Sequence, residues 1–120
     1  MRQWLPLLPL KTQAAKPLAV STRVSNLSTR PFRAQASYGR RLVRLGAQLL
    51  DGEGRLLNRD HARAWLPADI PPGGSADVTI EVPAPSTPGR YALKFDLVSE
   101  GIDWFEACGS EPTVKPLIVR

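Results

Sequence analysis

From Tyr91 to Val98 the chain reads Y-A-L-K-F-D-L-V, so that Tyr91, Leu93, Phe95 and Leu97 alternate with Ala92, Lys94, Asp96 and Val98. A period of two is what a pleated strand requires, because successive side chains point to opposite faces. A helix would group its apolar residues three and four apart instead. The stretch is therefore a strand with one buried face and one largely wet face. Pro83, Pro85 and Pro88-Gly89 precede it, a corner where proline withholds backbone donors and glycine permits a tight reversal. A second reversal at Glu100-Gly101 leads into Trp104-Phe105. Together these residues read as the central hairpin of a layered β fold.

The same alternation recurs along the chain. Leu18, Val20, Thr22 and Val24 mark one strand, which ends at Asn26, a residue able to satisfy local backbone groups where pairing stops. Val43, Leu45, Ala47 and Leu49 mark the next, and Asp51-Gly52-Glu53-Gly54 turns it back through a return strand over roughly 55–58. A charged segment, Arg59 to Arg63, then runs to Trp65 and the Pro71-Pro72-Gly73-Gly74 corner. Ala76, Val78, Ile80 and Val82 form the most regular amphipathic strand. Val114 to Val119 is the last, with Pro112 and Pro116 implying an edge. Residues 27–41 form a long Arg-bearing connection. Strands joined at short intervals by turn signals predict an all-β fold, a two-sheet sandwich of about seven to eight antiparallel strands.

Length bounds the domain count. At 120 residues the chain is one domain, read as an N-terminal arm or edge strand over 1–17 and a single sandwich over 18–120. Twelve prolines against nine glycines argue against long helices. The N-terminal apolar run is broken by Pro6 and Pro9, which suits an arm whose Trp4, Leu7 and Leu8 cover a sheet edge better than an export signal. With one cysteine, Cys108, no internal disulfide can form, and the expected compartment is the cytoplasm. No apolar run is long enough to span a membrane.

Reactive constellations are scarce. Cys108 and His61 are single members of their types and give neither a nucleophile pair nor metal-ligand spacing. Glu100, Asp103 and Glu106 around a glycine turn read as a solvated turn rather than a glycosidase pair. A net charge of +5 and the cluster Arg40, Arg41 and Arg44 beside Tyr38 invite comparison with single-strand nucleic-acid surfaces. Arginines without interleaved aromatics fit a solvated face better. The expectation is no catalysis, no metal, no cofactor and no nucleic-acid partner. What remains is aromatic: Trp65 and Trp104, with Tyr38, Glu100, Asp103 and Arg63 as polar company, the pattern of a surface that stacks sugar rings and bonds their hydroxyls.

Several motifs together carry a resemblance: Leu49 to Gly54, Leu66 to Gly73, Val82-Pro83-Ala84-Pro85, Pro88 to Leu93, and Asp96 to Phe105. Over about residues 18–119 the chain resembles bacterial immunoglobulin-like or fibronectin type III-like modules of surface-polysaccharide proteins, among them the carbohydrate-binding domain of O-antigen ABC transporters. The resemblance implies a non-catalytic accessory module whose partner is a glycan or a polysaccharide-assembly protein. A rival reading is an assembly module that adds a strand at an exposed sheet edge. Pro88-Gly89-Arg90-Tyr91 also resembles the tyrosine corner of such sandwiches, a phenol bonded back to the main chain.

Overall fold

The computed structural model describes residues 9–34, 42–100, 103–105 and 112–120. Within them lie eight strands: β1 (Leu10–Thr12), β2 (Leu18–Ser25), β3 (Val43–Asp51), β4 (Leu56–Trp65), β5 (Ser75–Val82), β6 (Gly89–Ser99), β7 (Asp103–Trp104) and β8 (Thr113–Val119). One sheet runs β1-β8-β6-β3-β4, with β7 also on β6; the other is the antiparallel pair β2-β5. This is an all-β, immunoglobulin-like sandwich. The arm with Trp4, Leu7 and Leu8, the loop with Tyr38, Arg40 and Arg41, and Glu106 and Cys108 lie outside the described residues.

The alternation read from the sequence decides which side chains meet between the sheets. Leu93 and Phe95 of β6 face Val78 and Ile80 of β5, with Leu45 and Leu117 beside them, all buried. Each such side chain removed from water contributes about 1.5–3 kcal/mol. Strand β6 is the middle of its sheet, flanked by β3 along Tyr91–Ser99 and by β8 along Gly89–Phe95. Beyond the start of β8, β7 takes over the same flank, placing Trp104 opposite Val98.

Three local expectations change. The outer face of β6 is not wet: Asp96 and Val98 are buried, because Trp104 and Arg63 fold across that face. The charged segment after Asn58 is not a connection but the continuation of β4, which reaches Trp65 through irregular pairing with β3. Strand β8 is not an edge strand, since β1 pairs with it in parallel from Leu117 onward. Pro116 precedes that stretch, so its missing donor interrupts no bond to β1.

The turns are built as their residues require. Asp51 accepts hydrogen bonds from the amides of Glu53 and Arg55, and Gly54 adopts a φ of 88°. The Arg55 amide, above all, holds the Asp51 carboxyl below its ordinary value. Asp69 is held low in the same way, by the Ala34 amide and then by Arg33, which ties the segment after β2 to the corner before β5.

Asn26 closes the end of β2. It is fully buried, its Nδ2 donates to the carbonyls of Arg30 (2.8 Å) and Ile70 (2.9 Å), and its Oδ1 accepts from the amide and hydroxyl of Ser28. Its main chain exchanges bonds with Gly73 and Gly74. The sequon Asn26-Leu27-Ser28 is therefore a structural knot, with the acceptor nitrogen turned inward.

Tyr91 Oη donates to the Thr87 carbonyl at 2.7 Å, the bond a tyrosine corner makes. Tyr91→Phe should cost about 1 kcal/mol in urea unfolding, the net worth of one such bond. An unchanged midpoint would show that water replaces it without loss.

Candidate functional site

The outer face of the larger sheet carries Trp65, Trp104, Arg63 and Glu100. Register sets them side by side: Arg44 opposite Trp65 and Gly46 opposite Arg63 across β3 and β4, with Arg44 opposite Val98 across β3 and β6. Trp104 comes in from β7, paired with Val98, so its ring reaches over Gly46.

Glycine at position 46 is a steric requirement. A Cβ there would stand 2.6 Å from the far edge of the Trp104 ring and 2.9 Å from Val98. With that space free, Trp104 lies flat enough to be only 6% exposed. Gly46→Ala should push the ring outward and cost about 1–3 kcal/mol, as overpacking does. The check is the indole N–H resonance of Trp104 together with the denaturation midpoint. A variant with both unchanged would contradict this seat.

Two guanidinium groups lie on the two tryptophans. Arg63 sits over Trp104 with its Cζ 4.5 Å from the ring centroid, and Arg44 over Trp65 at 4.1 Å. Glu100 ties them together: Oε1 accepts from Arg63 Nε at 3.1 Å and stands 3.7 Å from Arg44 Nε, an ion-pair separation. Arg63 Nη2 also donates to Asp60 at 2.7 Å. Two cations therefore face two carboxylates, and the cluster carries no net charge. Such partly exposed pairs add little stability singly, but each cation–π contact contributes about 0.5–2 kcal/mol and fixes ring orientation.

The tryptophans end up in different situations. Trp65 is 58% exposed, its ring held on one side by Arg44. Trp104 is covered and serves as part of the floor. Phe105 turns the other way, packing against the core with an edge-on contact to Phe32 at 5.5 Å between centroids. Arg63 and Glu100 join the cluster; Asp103 contributes its backbone pairing with Ser99. Tyr38 lies outside the described residues. Sequence reasoning did not place Arg44, Gly46 or Asp60 here. Alternation along β3 puts Arg44 and Gly46 on one face, but only the hairpin register brings that face to Trp65.

For reactive chemistry the described residues offer little. His61 bonds the Pro83 carbonyl through Nε2 at 2.7 Å and lies beside Asn58 through Nδ1. Among the described residues no group of three His, Cys, Asp or Glu side chains converges as metal ligands, and no helix is long and apolar enough to cross a membrane. The cluster offers a planar aromatic surface beside hydrogen-bonding groups already balanced in charge.

No protein-family model matches the sequence, and no curated protein matches it. Among solved structures, a family 123 glycoside hydrolase from Clostridium perfringens, described for glycolipid glycan hydrolysis, is similar over 93% of this chain and 22% of its own, at 10% identity and a TM-score of 0.49. WR4, a Caenorhabditis elegans member of the MSP family, is similar over 93% of this chain and 92% of its own, at 12% identity and a TM-score of 0.41. The ASH/PapD-like domain 7 of human CEP192 is similar over 95% of this chain and 77% of its own, at 13% identity and a TM-score of 0.40. None of these likenesses bears on what this chain binds.

Proposed function

We propose that this sandwich is a non-catalytic accessory module that binds glycan through the outer face of its larger sheet, at the Trp65 end. One observation carries the reading: Trp65 is 58% exposed while its ring is pinned by Arg44, so a flat apolar surface is presented without the entropy cost of ordering it on binding. Glu100, Arg63 and Asp60 stand nearby to exchange hydrogen bonds with hydroxyls. Their balanced charge suits a neutral sugar. Trp104 supports the floor from below. The sequence resemblance to surface-polysaccharide modules supports the same kind of role, beside a protein that assembles or exports such polymers.

The test is a glycan array followed by NMR titration of a neutral oligosaccharide that scores on it. Trp65→Ala should weaken binding at least about tenfold, the loss of a stacking contact of some 1.4 kcal/mol, with an unchanged fold. Absence of sugar binding, or binding indifferent to Trp65, would defeat the reading.

A second reading rests on a different observation. Strand β4 ends its sheet, and Leu56, Leu57 and Trp65, all more than half exposed, lie along it. Natural edges usually avoid such residues, so a strand from a protein partner could pair there. Light scattering separates the readings: edge pairing between copies gives a concentration-dependent dimer that Leu57→Lys abolishes, while glycan binding leaves a monomer.

A further inference from the structure

We infer that the end of the sandwich opposite in chemistry to the tryptophan face, where β1, the start of β2 and the end of β8 meet, is a binding site for a phosphate monoester. A cavity of about 390 Å³ opens there, lined among others by Lys11, Thr12, Lys16, Leu18 and Arg120. Three of its lining side chains are cations and none is a carboxylate.

Four arginines elsewhere on the surface are neutralised, Arg23 by Asp77, Arg33 by Asp69, Arg55 by Asp51 and Glu53, and Arg63 by Glu100 and Asp60. Among the described residues, Lys11, Lys16 and Arg120 enter no such pair. They come from two stretches far apart in the chain, the β1–β2 segment and the end of β8, yet converge on one hollow. Like charges gathered around a concavity repel one another, and an anion seated between them relieves that repulsion.

The frame behind the hollow is fixed by backbone bonds. Arg120 N–H donates to the Thr12 carbonyl at 2.9 Å and Ala14 N–H to the Arg120 carbonyl at 2.7 Å. Thr12 Oγ1 donates to the Lys16 carbonyl at 3.1 Å, closing the loop between β1 and β2. Ala15, with φ at 60°, makes the reversal and is anchored by its amide on the Pro85 carbonyl. The cations thus project from a braced rim. The volume is more than ten times the roughly 30 Å³ share of a water, room for a phosphorylated sugar ring rather than for a bare ion alone. The lysines act as point charges on the phosphate, and the guanidinium can grip two of its oxygens.

The site is independent of Trp65, and its test is chosen accordingly. Glucose 1-phosphate, inorganic phosphate and glucose are titrated in turn against isotopically labelled protein at low ionic strength. Glucose 1-phosphate should give saturable shifts at the amides of Thr12, Lys16 and Leu18, inorganic phosphate should move the same amides, and glucose should move none of them. Lys11→Gln with Lys16→Gln, and separately Arg120→Gln, should each weaken binding at least about tenfold, and added salt should weaken it as well. Trp65→Ala should leave it unchanged. Because these side chains are exposed, the variants keep the amide spectrum of the parent. Absence of saturation, equal affinity in the variants, or shifts spread evenly over the Arg23 and Arg55 surfaces would overturn the site.

Discussion

Phe95→Ala should lower the unfolding free energy by about 3–5 kcal/mol, the cost of emptying a large core position. Phe95 is wholly inaccessible to solvent and sits on the middle strand of the larger sheet, paired with Ala47 on one side and Thr113 on the other. Three strands thus fix the backbone around it, and neither neighbour can move inward to fill the space without breaking its own ladder. The loss should therefore fall toward the upper part of that range. Phe95→Leu keeps most of the volume and should cost clearly less. Urea unfolding followed by circular dichroism measures both. A loss under about 1 kcal/mol for the alanine variant would mean that the two sheets can close over the gap, contrary to close packing.

Asn26→Ala should cost about 2–3 kcal/mol, although only a small side chain is removed. Its four side-chain bonds go to Arg30, Ile70 and Ser28. Truncation takes one of two donors from the buried Ile70 carbonyl, which keeps the Phe32 amide, and removes the acceptor of the Ser28 amide; each lost bond is worth about 0.5–1.5 kcal/mol, and the exposed Ser28 and Arg30 groups recover part of it from water. Ser28→Ala removes the hydroxyl that donates to Asn26 Oδ1 and, being exposed, should cost about 1 kcal/mol by the same principle. If the two variants unfolded at the same denaturant concentration, the network would not be centred on Asn26.

The core of this fold was legible because alternation is a local property. Leu93, Phe95, Val78 and Ile80 point inward as their spacing requires, and the Asp51–Gly54 turn follows from glycine and an aspartate able to accept from the next amides. The outer face was less legible because it depends on register. Carrying the pairing of Leu50 with Leu56 straight along the hairpin would set Arg44 opposite Ala62; the observed partner is Trp65, three residues further on. An odd shift also exchanges the faces of a strand. Irregular pairing in β4 absorbs it, and nothing in the alternation of Arg59 to Ala64 announces where. The burial of Trp104 was hidden for a related reason. It depends on Gly46, nearly sixty residues away in the chain, leaving a hollow of the right depth. Trp65 and Arg63 were recognised as residue types suited to a surface site. Their stacking partners belong to tertiary structure.

The inward-turned Asn26 has a consequence for anyone producing this protein in a eukaryotic secretory host. Oligosaccharyltransferase needs a flexible acceptor amide it can reach, and once β2, the following turn and the corner at Ile70 have locked together that amide is engaged on both of its hydrogens. Sugar attached at this position would mark only chains intercepted before they closed, so the glycosylated fraction would serve as a clock for how quickly this part of the molecule matures.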